Sequence, residues 1–316
     1  MQQIVNTTPF VAELDVFPDA RGVDTLIVTL KATFTLGPTP TVAGEQRPIV
    51  AGDEYRGEPG RSSLMNAAER HLSKPGTDVL LVGSAHAPRR RPATSVDVSL
   101  AVGPIRKLVR AIGDRSRAGG MLGPPAPFVT LPLVYERAFG GADEPRNPVG
   151  VGCGEHDAAP NLEYPHSPYA PGVAAEPACF AAIAPGWAPR CRHAGTYDEA
   201  WRRKRAPYLP EDFDARFFQA APPDQHTVGH LRGGEPVEVI GASPEPLRFA
   251  LPACTWALKA KIGAGVTPFA PHLETVALEP DERRLCMLWR AAVAVDRRAL
   301  AIDEVTIGLR TLNLTP

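Results

Sequence analysis

The side chains that could do chemistry fall in a few places. Cys153-x-x-His156 and Cys191-x-His193, with Cys179 between them, gather soft and imidazole groups in one stretch of chain, and four such ligands can hold a structural zinc tetrahedrally. The spacing matches no standard finger, so ordinary free thiols are the competing assignment. Asp78, Ser84 and His86 supply the residue types of a hydrolytic triad. A triad is made by convergence in space, however, and the same residues read as polar positions of one strand. Glu211-Asp212 with Asp214, and Asp281-Glu282, are acidic clusters; paired carboxylates suit glycoside hydrolysis only across a cleft. The first is placed to cap a short helical turn before Phe217-Phe218, and the second to sit solvated in a hairpin loop. The run Phe139-Gly140-Gly141 to Asn147-Pro148 has the glycines of a phosphate loop without its Lys-Ser/Thr ending, and reads as a turn. With no Gly-x-Ser-x-Gly, His-Glu-x-x-His or dinucleotide fingerprint, the motifs assign no catalytic residue and no cofactor.

The chain that must position these groups has 316 residues, 44% hydrophobic and 22% charged, enough for one large β-rich domain over 1–316. Its 35 prolines and 28 glycines are roughly a fifth of the total, against about 12% on average. Proline breaks helices and glycine weakens them, so helix-rich architectures are disfavoured. A formal net charge of −1 gives no global field for nucleic acid or an anionic membrane. The opening MQQIVNTTPFVAEL has neither a basic segment nor an apolar run, and no 18 apolar residues are consecutive; the expectation is a cytoplasmic protein with no membrane partner. Five cysteines, an odd number, are expected to be reduced.

Strands are predicted where apolar residues alternate: 26–34, 79–86, 95–102, 105–112, 128–136, 236–241, 247–251, 255–262, 272–279, 285–295 and 305–312. Gly103-Pro104 and the stretch 279–284 are hairpin turns. These predict antiparallel sheets packed as a sandwich or open barrel. Between them periodicity fades, and 17 of the 35 prolines fall from Pro124 to Pro223. Residues 140–225 are therefore a long irregular Pro/Gly-rich insertion with one or two short helices. One helix follows Thr196, with Thr196 as N-cap, Glu199 closing a capping box, and Tyr197 and Trp201 docking its face. Trp256 and Trp289 lie in strand patterns and belong to the core, which leaves Trp187 and Trp201 to anchor a partner.

Six segments in order, KPGTDVLLVGSAHAP (74–88), VGPIRKLVRAIGDR (102–115), PLVYERAFGG (132–141), NPVG (147–150), GTYDEAWRRKRAPYLPEDFDARFFQAAPPDQ (195–225) and LRGGEPVEV (231–239), resemble the bacterial domain-of-unknown-function family DUF2169. The resemblance implies a non-catalytic accessory protein of type VI secretion, a chaperone or adaptor. Its implied partners are a secreted effector, often with a PAAR-type tip domain, and the trimeric spike protein. Loops on a rigid frame are where binding resides, so Gly140, Gly141, Asn147, Trp187, Tyr197, Trp201, Tyr208, Asp212 and Phe213 are the partner-binding candidates. A β-sandwich hydrolase with a site under the long loops, or a structural secretion component, are the alternatives.

Overall fold

A computed structural model describes residues 3–118, 121–154 and 158–315. The longer strands are β1 (Gln3–Asn6), β2 (Val11–Pro18), β3 (Asp24–Thr35), β4 (Asp78–Leu81), β5 (Ser95–Val102), β6 (Ile105–Ile112), β7 (Pro236–Ile240), β8 (Leu247–Ala250), β9 (Ala253–Ile262), β10 (Gly265–Phe269), β11 (His272–Glu279), β12 (Arg284–Ala294) and β13 (Ile302–Asn313). They form three principal sheets: a six-stranded one in the order β2-β3-β12-β11-β4, with Thr41–Val42 added on β3; a five-stranded one, Leu162–Glu163 then β6-β5-β7-β8; and a four-stranded one, β1-β13-β9-β10. The protein is mainly β, and among the described residues no sheet closes into a barrel.

The hairpin predicted at Gly103-Pro104 forms in full register, from Val102 opposite Ile105 to Ser95 opposite Ile112. Gly103 turns it at φ +52, a conformation that strains an L side chain and that glycine adopts freely. In the principal sheets two pairings depart from the antiparallel expectation: β1 runs parallel to β13, and β4 parallel to β11. Parallel neighbours need a long crossover, and β4 meets β11 only after the proline-rich region has intervened. Residues 79–86 divide into β4 and a short strand, Ser84–His86. Of 128–136 only Thr130–Pro132 is strand, because the chain then turns at Tyr135–Arg137.

β3 sits at the centre. Leu26, Val28, Leu30, Ala32 and Phe34 are buried and join Val98 of β5 and Val305 of β13 in one continuous apolar cluster. The opposite face, Ile27, Thr29, Lys31 and Thr33, is buried as well, and there charge is answered in place. Lys31 Nζ lies 2.7 Å from both carboxylate oxygens of Glu69. Arg290 Nε donates to Glu274 at 2.7 Å, and its other nitrogens donate to Thr29 Oγ1 and the Glu69 carbonyl. Lys74 Nζ donates to Asp78 at 2.7 Å. Such pairs add little over apolar packing but are costly to break from one side, so they fix the 43–78 segment against the sheet.

The irregular region also enters the core. Residues 178–184 are buried without regular structure, so their backbone groups need partners outside any ladder. Single groups supply them. Gln225 Nε2 donates to Val79 O at 2.6 Å and Phe180 O at 3.0 Å. Arg190 donates to Ile183 O at 2.9 Å and Phe217 O at 2.7 Å, and the Ile183 N–H donates to Ala220 O at 2.7 Å.

Candidate functional site

The first group of predicted residues forms a knot. Asn147 is fully buried and its Nδ2 donates to Tyr135 O at 2.8 Å and Phe139 O at 3.0 Å. Its own carbonyl accepts from the Gly141 N–H at 3.0 Å. A Cβ on Gly140 would stand 2.2 Å from that carbonyl oxygen, so only glycine lets the strands close. Gly140 and Asn147 are buried and Gly141 half-buried; they shape the region from beneath. Trp187 behaves likewise, 5% exposed and edge-on to Tyr135 with ring centroids 5.4 Å apart. Its expected role as a partner anchor gives way to packing.

The second group forms a protrusion from Gly195 to Phe213. Its base is closed by Asp212, whose carboxylate accepts from the Thr196 N–H at 2.9 Å and from Thr196 Oγ1 at 2.7 Å. Those bonds hold the Asp212 carboxyl below its usual range. Gly195, at φ +78, leaves room for Pro210 and Asp212. Helix α1 covers Glu199–Lys204, and its N-cap is Asp198, which accepts from the Trp201 N–H. The expected Thr196 cap fails because the helix begins two residues later at Asp198, and Thr196 Oγ1 donates to Asp212 instead. On the helix surface Glu199 pairs with Arg203, one turn on, at 3.0 Å.

No residue of α1 is buried, so the helix does not dock through its aromatic face as expected. Its aromatics are instead braced within the protrusion. Tyr197 meets Trp201 edge-on at 4.7 Å, Trp201 Nε1 donates to Tyr208 O at 2.8 Å, and Tyr208 lies over Gly22. Arg205 Nη2 donates to Ala20 O. Tyr197 remains 53% and Tyr208 40% exposed. Phe213 roots the far end among Phe217 and Phe218, and Phe218 stacks on His71 at 4.7 Å.

At the foot of this protrusion opens a cavity of about 470 Å³, walled by Ile183 and by Pro177, Pro189, Pro222 and Pro223, with Tyr135 and Tyr164 inside. The proline excess of the sequence is here a rigid wall. Lys107 stands behind it, its ammonium 2.9 Å from Asp224 and 5.6 Å from the Tyr164 ring centroid. Burial lowers the Lys107 ammonium below its ordinary range and Asp224 opposes that shift. The signal for Lys107 lay in strand phase, since it shares a face of β6 with Val109 and Ala111, both buried.

The remaining candidates do not converge. Cys179 is buried 3.5 Å from Leu133 O, and burial pushes its thiol up to about 11, which suits a thiol better than a metal-binding thiolate. Cys153 and Cys191 are exposed, His193 faces Asp214 at 3.8 Å, and His156 lies outside the described residues. No group of three or more metal-ligating side chains occurs among the described residues. Asp78 is bound by Lys74 and the Ala220 N–H, whereas His86 Nε2 lies 2.6 Å from Asp281, so the triad is apart. Asp281 is thereby engaged and not merely solvated, because the 280–283 turn folds back onto the Ser84–His86 strand. Asp214 caps the turn Ala215–Phe218 as the sequence predicts.

A family profile described as an uncharacterized protein conserved in bacteria (DUF2169) matches residues 21–290. No curated protein and no solved structure matches the chain. No helix among the described residues is long and apolar enough to cross a membrane.

Proposed function

The chain belongs to the DUF2169 family of bacterial proteins, and from that premise we propose that it is a non-catalytic adaptor or chaperone of type VI secretion. In this reading it works in the cytoplasm, holds a secreted effector, including one with a PAAR-type tip domain, and hands it to the trimeric spike protein. The observation that carries the reading is the 195–213 protrusion. Its helix buries nothing, yet its ends are clamped by Thr196 with Asp212, and its exposed Tyr197 and Tyr208 are braced through the half-buried Trp201. Aromatics held rigid in solvent lose little entropy on contact, which is how interface anchors gain affinity.

The test is co-purification with the effector encoded beside the gene. The double variant Tyr197→Ala/Tyr208→Ala and the charge reversal Arg202→Glu are expected to abolish recovery of the effector while the unfolding transition stays in place. Loss of binding only together with loss of folding refutes a docking role. Deleting the gene separates an adaptor, which costs delivery of one effector, from a structural component, which costs all secretion.

A further inference from the structure

The cavity at the foot of the protrusion has its own chemistry, which does not depend on the adaptor reading. At about 470 Å³ it is within the size range of small-ligand pockets. Among its charged lining groups, Asp224 is answered by Lys107 at 2.9 Å. Arg146 is held by Glu144 at 2.7 Å and feels Glu176 as well. Arg192 also lines the cavity, and among the described residues its guanidinium has no hydrogen-bond or ion-pair partner. The second unspent group is the Tyr135 hydroxyl. The residue is 2% exposed and its ring is fixed edge-on to Trp187, yet among the described residues no group bonds its oxygen. A hydroxyl on so buried a residue that lines the cavity without a protein partner is free to bond what enters it. Burial also holds this phenol well above its ordinary range, so it stays protonated and able to donate.

The Tyr135 hydroxyl and the Arg192 guanidinium are both donors and one is cationic; the exposed His166 and Glu176 also line the cavity, Glu176 near Arg146, and the walls are proline and isoleucine. We propose that this cavity binds an organic carboxylate on an apolar body, with the acid received by the Tyr135 hydroxyl and the Arg192 guanidinium and the apolar part lying against the proline wall. The same chemistry is offered by a free aliphatic acid and by the carboxyl end of a peptide.

Calorimetric titration of the full chain with 4-methylpentanoate and with N-acetylglycyl-leucine, each against its carboxamide, tests the assignment. Each acid is expected to bind about tenfold more tightly than its amide, the ratio for one charge-assisted hydrogen bond. Tyr135→Phe keeps the ring and is expected to weaken the acids about tenfold, and Arg192→Gln, at an exposed position, to do the same with no change in the unfolding transition. A peptide acid binding more tightly than the bare acid supports the site and names a chain end as its source; equal affinities support it and name a free acid. Acid and amide binding alike, no binding of either acid at millimolar concentration, or full affinity in both variants overturns the proposal.

Discussion

The β5–β6 hairpin and the 178–225 segment are both held firmly against the core, but by different kinds of bond. In the hairpin the facing backbone groups answer one another along the whole pair, from Ser95 with Ile112 to Val102 with Ile105. In the irregular segment, beside turn bonds such as Ile183 N–H to Ala220 O, key answering groups are individual side chains: Gln225 for Val79 and Phe180, Arg190 for Ile183 and Phe217, Asp78 for Ala220. A ladder survives the loss of any one side chain, because its bonds are backbone to backbone. A chain pinned by single side chains does not. The proline-rich region thus gains a shape that sheets cannot make, with a cavity and a protrusion, and depends on a handful of irreplaceable residues.

The largest expected effect lies where charge ties the 43–78 segment to the sheet. Arg290→Met strands the buried Glu274 carboxylate and should destabilise the fold by about 3–5 kcal/mol, read as a shift of the urea midpoint. Adding Glu274→Leu should recover part of that loss, since the desolvated charge goes with its partner. A single variant costing under about 1 kcal/mol would mean that the pair behaves as a surface contact, against its burial at 1% exposure or less.

How much of this was legible depended on the same distinction. The alternation at 26–34, 95–102 and 105–112 announces its strands because a ladder imposes period two on the sequence. Even buried charge leaves a trace there: Lys107 shares the phase of Val109, and Arg290 interrupts the apolar run of β12. No period reports that Gln225 will serve Phe180, since the two meet only after the irregular chain has folded, and no period distinguishes an exposed α1 from a docked one. Composition located the proline-rich region; the pairing within it is tertiary.

Gln225→Leu is the direct test of the irregular side, because it leaves the Val79 and Phe180 carbonyls without their donor. A loss of about 1–3 kcal/mol is expected. Hydrogen exchange should show amides of 178–184 losing protection while those of β5 and β6 keep theirs. Uniform loss across both would erase the contrast between the two regions.

His71 carries the same contrast into pH. Burial and the positive charges of Arg290 and Lys74 hold its imidazole well below the ordinary value, so the folded chain keeps it neutral where the unfolded chain protonates it near pH 6.5. The unfolded state then binds more protons, and stability falls as pH drops below about 6.5, at most by about 1.4 kcal/mol per pH unit for this one group. Urea titrations between pH 7.5 and 5 should show that slope reduced in His71→Gln. An unchanged slope would assign the acid sensitivity elsewhere.

The smallest effect is expected on the ladder side. Arg248 of β8 faces Glu238 of β7 at 2.7 Å across a regular antiparallel pair, both side chains largely in solvent. Arg248→Ala removes an ion pair but no ladder bond, and exposed pairs of this kind contribute about 0.2–1 kcal/mol. If the variant lost as much stability as Gln225→Leu, regular pairing would not be what makes a side chain dispensable here. A small loss with exchange protection retained in β7 and β5 would locate the strength of the sheets in their backbone, and leave the side chains of the irregular region as the positions where this fold is most easily broken.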